Sequence, residues 1–238
     1  MEAFRQSEAL AVEVDLLATD PQYMSHLLSR VGHNPEGVTL ESLMSPEDWS
    51  LLVGVARDHQ ISEQGFQKLK PWLAAVQLAA MQMRASGFDE NAGIDRYFLR
   101  MARVPENPKQ IIELESLDSQ LKIFSRLSLQ EQLVFLRQTL DEFSRGADYL
   151  SQIANAWQAG DEELLQALIG GAFTGAPESE AMYRVIFTDR NLQMAATVEG
   201  LLERGQTAFV VVGVGHMVGA DGLAALLQQR GFHIRATK

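Results

Sequence analysis

One short segment constrains the fold more than any other part of this sequence. Residues 209–213 read FVVVG, an apolar run without a charge. A run of this kind, bounded by glycine, predicts a strand buried on both faces in the centre of a parallel sheet. Residues 213–219 (GVGHMVG) then predict a sharp turn that leads into a helix. We therefore expect an α/β protein that presents a ligand site at the carboxyl end of this strand.

Three other segments predict strands, and these lie mostly towards the two ends of the chain. Residues 9–14 (ALAVEV) and 111–114 have the short apolar pattern of buried strands, and residues 233–236 predict a final one. The fold class expected is therefore α/β, helix-rich, with a small central sheet and a large helical insertion at about residues 40–175. We expect one domain over residues 1–238.

Helix patterns fill most of the remaining chain. Helix-start signals, in which Ser or Asp precedes a proline or an acidic first turn, occur at Ser45, Ser62, Ser128 and Asp161. Pro71 lies inside the helix that is predicted to begin at Ser62, and we expect it to kink or split that helix. A long amphipathic helix is predicted over residues 179–204. These patterns predict that helix exceeds half of the chain.

The composition excludes several classes of function. The 31 acidic and 20 basic residues give a formal net charge of −11, which argues against a nucleic-acid partner because such proteins need a basic surface. The absence of cysteine excludes disulfides and a thiol nucleophile. No apolar run reaches the roughly 18 residues that a membrane-spanning helix requires. The first ten residues lack the pattern of an export signal, so the chain as given is expected in the cytoplasm.

His216 is the first candidate for chemistry. It follows the strand predicted at residues 209–213, and Gly213 and Gly215 allow the sharp turn and close approach of a ligand that such a site needs. Its imidazole can bind a metal or act as a general base. The alternative is a histidine that only hydrogen-bonds a neighbouring loop. The glycine spacing is one residue too long for a dinucleotide-binding motif.

Three carboxylates are candidate partners of His216. Glu13 lies among the apolar residues of the first strand, so it either faces the same pocket or points outward from an edge strand. Glu115 follows the second strand at its carboxyl end, where it either serves the site or caps the next helix. Asp95 opens a helix and is interpreted first as a helix cap.

The pair Arg190-Asn191 lies within the predicted long helix, between apolar residues. An arginine on the inner side of a helix can bind a carboxylate through two parallel hydrogen bonds. The alternative is an arginine on the protein surface. The sequence pattern alone leaves both interpretations open.

The order of the motifs is more informative than any one of them. In chain order they are VEVD (12–15), PWLA (71–74), GFD (87–89), GID (93–95), LES (114–116), AWQAGD (156–161), DRN (189–191) and VGVGHMVG (212–219). This order resembles the TraB/GumN family, which includes the pheromone-shutdown and TIKI proteins. The resemblance covers about residues 3–235.

The resemblance implies a fold related to erythromycin esterases and ChaN-like haem-binding proteins. It also implies a metal-dependent hydrolase, peptidase-like, because the TIKI branch is regarded as a metalloprotease that uses Mn²⁺ or Co²⁺. The implied metal ligands are His216 and Glu13, with Gly213 and His216 forming a Gly-x-x-His motif. The implied catalytic residues are Glu13, Glu115, Asp95, Arg190 and Asn191.

One family element has no counterpart in this sequence. The family carries an earlier Gly-x-x-His on a strand that precedes the glutamate strand. We expect either a longer natural chain, which would then carry an export signal and act outside the cytoplasm, or a chain that lacks one metal ligand and binds metal poorly. We also expect the missing strand to leave an unpaired edge beside residues 9–14, through which two copies can pair.

Two function classes therefore follow from the resemblance. The first is a metal-dependent hydrolase that acts on a peptide or another small substrate. The alternative is a non-catalytic protein on the same fold that binds or sequesters a peptide, a polysaccharide component or haem, or an inactive truncated form.

Overall fold

The computed structural model describes residues 1–144 and 147–236. Its strands form one parallel sheet in which the first strand along the chain lies between the other two. The strands are β1 (Ala9–Val12), β2 (Gln110–Glu113) and β3 (Ala208–Val211). Val12 is paired with Glu113 on one side and with Val211 on the other. All three strands therefore end at the same edge of the sheet.

The rest of the described chain is mostly helical. The α-helices are α1 (Glu2–Gln6), α2 (Pro21–Gly32), α3 (Leu40–Leu43), α4 (Pro46–Asp58), α5 (Pro71–Ala85), α6 (Ile94–Ala102), α7 (Leu117–Ser125), α8 (Leu129–Ser144), α9 (Ala147–Ala159), α10 (Glu162–Gly171), α11 (Pro177–Tyr183), α12 (Asp189–Glu203) and α13 (Leu223–Gln229). The structure is 63% helical, which confirms the predicted excess of helix over half of the chain. The α/β fold class is confirmed as well.

The central strand of the sheet is β1, and the prediction that residues 209–213 form the central strand is wrong. All four residues of β1 are buried, whereas Ala208–Val210 are only half-buried, as suits an edge strand. The apolar run of β3 has another cause. Phe209 packs on Phe4 and Phe98 on one face of the sheet, and Val210 packs against α12 and α13 on the other. An apolar run indicates that both faces of a strand are covered by other elements, but it does not indicate whether the strand has a neighbour on one edge or on both.

Two further strand predictions are also wrong. Because β1 pairs on both sides, no unpaired edge lies beside residues 9–14; the open edges of the described sheet belong to β2 and β3. Pairing of two copies through a sheet edge stays a prediction. Residues 233–236 form no strand, and Ile234 is exposed instead of packed in the core.

A second apolar core lies away from the sheet, where α4, α5 and α8 pack together. Trp72 of α5 is fully buried there, stacked on Phe124 with 5.1 Å between the ring centroids. The helix predicted from Ser62 does not contain Pro71, because α5 begins at that proline. Proline is favoured at the first position of a helix, where its missing N–H leaves no bond unmade. Glu63–Gly65 forms only a 3₁₀ turn.

Several predicted helix starts are confirmed by their hydrogen bonds. A side-chain oxygen accepts a backbone N–H three residues later at Ser45, Ser128 and Asp161. The long helix predicted over residues 179–204 is present as α11 and α12 joined by a π-helical turn, Arg184–Thr188. No helix within residues 1–144 and 147–236 combines the length and the apolar character that crossing a bilayer requires.

The burial of β1 predicts a large loss of stability when its core side chains are shortened. Leu10 is fully buried in the cluster that it forms with Phe98 and Leu99 of α6, so Leu10→Ala is expected to lower the free energy of unfolding by about 2–5 kcal/mol. Leu192→Ala, at a position that is 45% exposed, is the control and is expected to cost less than about 1 kcal/mol. Urea unfolding measures both. Equal losses in the two variants would contradict the placement of β1 in the core.

Candidate functional site

Polar side chains from all three strands converge at the carboxyl edge of the sheet. Glu13 directly follows β1, Glu115 lies two residues beyond β2, and the turn from Gly213 to His216 follows β3. The backbone keeps the first two in register, since the N–H of Glu115 donates to the carbonyl of Glu13 at 3.0 Å. Ligand sites of open parallel sheets lie at this edge.

An arginine from α12 joins the two carboxylates. Arg190 Nη2 donates to Glu13 Oε2 at 2.7 Å and to Glu115 Oε2 at 2.6 Å, and Arg190 Nε donates to Glu115 Oε1 at 2.9 Å. Only 14% of the Arg190 side chain and 2% of the Glu115 side chain are exposed. Gln120 Nε2 also donates to both carboxylates. Arg190 therefore does not lie on the surface, the alternative that the sequence left open.

The cluster carries an excess of negative charge. Burial by itself raises the pKa of Glu115, but hydrogen bonds from Arg190 and Gln120 outweigh it, so the pKa of that carboxyl is lowered. Burial lowers the pKa of Arg190, but its two carboxylate partners outweigh this and raise it. Two carboxylates and one guanidinium sum to −2 + 1 = −1. The site as a whole favours a further cation.

His216 is buried and its ring orientation is fixed by Asn191. Nδ1 lies 2.7 Å from Asn191 Oδ1, and Asn191 Nδ2 donates to the backbone carbonyl of Asp221 at 2.8 Å. Because that carbonyl requires a donor, the amide oxygen of Asn191 must face His216, and Nδ1 carries the proton. Nε2 then presents a lone pair, 3.7 Å from Glu13 Oε2. Burial is the main cause of a lowered His216 pKa, partly opposed by the charge of Glu13.

The glycines of the turn permit close contacts. The N–H of Gly213 donates to Glu13 Oε1 at 2.7 Å. A Cβ atom at Gly215 would lie 2.5 Å from the nearest ring carbon of Phe187. The ring centroids of Phe187 and His216 are 5.4 Å apart. A side chain at Gly215 would therefore displace the aromatic ring that packs on His216.

The structure brings five of the predicted site residues together: Glu13, Glu115, Arg190, Asn191 and His216. Two of the alternatives for the carboxylates are wrong. Glu13 does not point outward from an edge strand, and Ser116, not Glu115, caps α7.

Asp95 lies at the margin of this group. It is in the first turn of α6, but the cap position is Gly93 and no side-chain cap bond is made, so the interpretation as a helix cap is wrong. Asp95 lines an apolar pocket that also contains Gly213. Burial, and secondarily the negative charge of Glu13, raise the pKa of Asp95.

The structure also shows contacts that sequence reasoning did not assign. Asp221 accepts hydrogen bonds from Tyr183 and Thr188, at the two ends of the π-helical turn. Burial and this contact raise the pKa of Tyr183 to about 12. Asp221 thereby ties the helix that carries Arg190 and Asn191 to the loop that carries His216. No local sequence pattern signals this link, because its partners lie more than 30 residues apart.

The residues present fit a metal ion only in part. His216 Nε2 and Glu13 Oε2 are 3.7 Å apart, close enough for one ion to reach both, since bonds to nitrogen or oxygen ligands measure about 2.0–2.2 Å. Both oxygens of Glu115 already accept hydrogen bonds from Arg190. Glu13 is engaged as well, Oε1 by the N–H of Gly213 and Oε2 by Arg190, so an ion would share Oε2 with the guanidinium. Among the described residues, no three His, Asp or Glu side chains gather as a metal site. His216 and Glu13 are therefore suitable metal ligands, but two ligands do not complete a metal site.

Comparison with known proteins gives a family but no individual relative. The sequence model of the TraB/PrgY/gumN family matches residues 1–236, which confirms the family suggested by the order of the motifs. No curated protein and no solved structure matches the chain.

The ion cluster predicts a large cost for removing its cation. Arg190→Ala leaves Glu13 and the buried Glu115 without their partner, so the free energy of unfolding is expected to fall by about 3–5 kcal/mol. Arg230→Ala is the matched control, because Arg230 pairs with Glu199 in a more exposed position and is expected to cost about 0–1 kcal/mol. Urea unfolding at neutral pH measures both. Similar losses in the two variants would contradict a buried, coupled cluster.

The lowered pKa of Glu115 predicts a pH-dependent part of the stability. Relative to its ordinary pKa of 4.5, ionised Glu115 stabilises the folded state fully above that pH. The contribution is lost as the pH falls through the lower folded-state pKa. Glu115→Gln lacks the contribution, so wild type and variant should differ most near neutral pH and converge in acid. Urea unfolding across the acid range measures the difference, and a gap that does not change with pH would be the contrary result.

Proposed function

The chain belongs to the TraB/PrgY/gumN family, and we propose that it is a metal-dependent hydrolase that acts on peptide bonds. The observation that carries the proposal is the orientation of His216. Its Nδ1 proton is held by Asn191, and its Nε2 lone pair faces Glu13 at the carboxyl edge of a parallel sheet. A metal-binding histidine commonly has this arrangement, in which a second residue fixes the ring and the proton.

Charge and protonation support a cation at this position. A metal ligand must be neutral if it is histidine and ionised if it is a carboxylate. The buried His216 has a lowered pKa, which favours the neutral imidazole at pH 7. The surrounding cluster keeps one negative charge after Arg190 is counted. His216 and Glu13 are the two residues that would hold a divalent ion, with Mn²⁺ or Co²⁺ suggested by the family resemblance.

Such an ion, when bound, supplies Lewis-acid activation of water and of a carbonyl group. In this proposal the residues of the chain hold the metal ligands in place. Arg190 holds the carboxylates of Glu13 and Glu115 together by donating to both, and Asn191 fixes the ring of His216. Glu115 is an orienting residue and not a general base in this proposal, because only 2% of its side chain is exposed and its pKa is lowered.

A second candidate function is a non-catalytic binding protein on the same fold. The observation that favours it is the incomplete set of metal ligands, together with the full engagement of Glu115 by Arg190 and Gln120. The two candidates differ in turnover. A binding protein captures its ligand in a fixed ratio and releases no product.

The proposal predicts that His216 controls both metal content and activity. His216→Ala is expected to abolish binding of Mn²⁺ or Co²⁺ and cleavage of a mixed peptide substrate, and Asn191→Ala is expected to weaken metal binding by about 10–100-fold. His26→Ala, at an exposed position on α2, is the control and should leave both unchanged. Calorimetric metal titration and mass spectrometry of the peptide products provide the two readouts.

Two results would decide against the hydrolase. If His216→Ala retains wild-type metal content and cleavage, the assigned site is wrong. If the wild type binds peptide in a fixed ratio without forming products in the presence of metal, the binding protein is the better account.

A further inference from the structure

An apolar pocket of about 280 Å³ opens beside the ion cluster. It is lined by residues of α5, α6 and α9 and by residues 212–214, which follow β3. Gly213 belongs to both regions, because its N–H donates to Glu13 Oε1 while its backbone lines the pocket. A group bound in this pocket is therefore separated from the carboxylate of Glu13 by the backbone of Gly213.

The pocket is lined mostly by apolar side chains that remain partly exposed to solvent. Met83, Phe88, Ile94 and Trp157 line it, and each remains exposed to solvent, Trp157 to 51%. Scattered apolar residues on a surface need no explanation, but several that converge on one concave site indicate a binding surface. The volume of about 280 Å³ lies just below the usual range of about 300–1,000 Å³ for ligand pockets, which suits one group of side-chain size.

The pocket contains one charged group, Asp95. Within the described residues, its carboxylate receives no hydrogen bond from another side chain and joins no ion pair. The charge that affects its pKa is that of another carboxylate, Glu13, and its own backbone N–H is the hydrogen-bond donor that partly opposes this. Among the described residues this half-buried acid therefore has no cationic partner. A positively charged ligand group would pair with Asp95, whereas an anion would be repelled by this carboxylate and by a chain of net charge −11.

We propose that this pocket binds an apolar primary amine, with the ammonium group at Asp95 and the apolar body against Trp157 and its neighbours. Trp157 is 51% exposed, and its indole would add attraction for a cation held close to the ring face. As part of a substrate, the amine would lie beside Glu13 and His216, and this extension rests on the proposed function. The binding itself requires neither a metal nor catalysis.

Simple probes separate the contributions of charge and apolar area. 2-Phenylethylamine, 2-phenylethanol and 3-phenylpropionate share an aromatic body and differ in carrying a positive, no or a negative charge. Binding is measured by calorimetry and by the change in tryptophan fluorescence, at neutral pH with a chelator present. The amine is expected to bind at least about 10-fold more tightly than the alcohol, and the carboxylate is expected not to bind.

Variants test the two halves of the pocket. Asp95→Asn is expected to reduce the affinity for the amine to that for the alcohol, while Asp148→Asn, an exposed acid on α9 outside the pocket lining, changes neither. Ala154→Phe fills the pocket and is expected to abolish binding of both. Circular dichroism and unfolding curves of each variant establish that a loss of binding is not a loss of fold.

The proposal is overturned if the amine does not bind, if amine and alcohol bind equally, or if Asp95→Asn binds the amine as the wild type does. His216→Ala separates this result from the proposed function. It should bind 2-phenylethylamine with wild-type affinity even though it is expected to lose metal. Loss of amine binding in that variant would contradict an independent pocket, whereas failure of metal binding in the wild type would leave the amine result standing.

Discussion

The guanidinium of Arg190, held between Glu13 and Glu115, is the interaction on which the rest of the site depends. Two carboxylates this close would repel each other in a half-buried position, and the arginine removes most of that cost. The arrangement needs three separate features of the fold. β1 and β2 must end at one edge, α12 must pack over that edge, and Gln120 must supply additional donors. The compensation is incomplete, so one negative charge remains beside the lone pair of His216.

The ring of His216 is fixed from the side opposite Glu13. Asn191 accepts from Nδ1, and the carbonyl of Asp221 fixes the orientation of the Asn191 amide. The π-helical turn Arg184–Thr188 ends just before Arg190 and Asn191. π-Helical turns are rare in proteins, but those that occur are often found at functional sites. Both ends of this turn are held by hydrogen bonds to the carboxylate of Asp221. The same short stretch of helix therefore sets both the ion cluster and the imidazole.

The sequence predicted the location of the site better than the layout of the sheet. Glu115 and His216 are predicted after the carboxyl ends of strands, and parallel strands necessarily bring such residues to one edge. Glu13 is predicted inside the first strand, whereas β1 ends at Val12 and Glu13 directly follows it. The order of the strands was not predictable in the same way, because the apolar run of β3 reflects packing of Phe209 and Val210 under helices. Pro71 is predicted to kink or split the helix from Ser62, and the chain does break there, since only a 3₁₀ turn precedes the helix that begins at Pro71. The contacts of Gln120 and Asp221 depend on tertiary packing, so no local sequence pattern predicts their roles. The residues of α9 that line the pocket at Asp95 were not predicted for the same reason.

The most direct test of the account is the protonation state of the His216 ring, observed by ¹⁵N NMR of labelled imidazoles with His216→Ala used for assignment. The account predicts a neutral ring at pH 7 with the proton on Nδ1, and selective broadening of the Nε2 resonance when Mn²⁺ is added. A ring that carries its proton on Nε2, or one that shows no response to Mn²⁺, would contradict a cation site formed by His216 and Glu13.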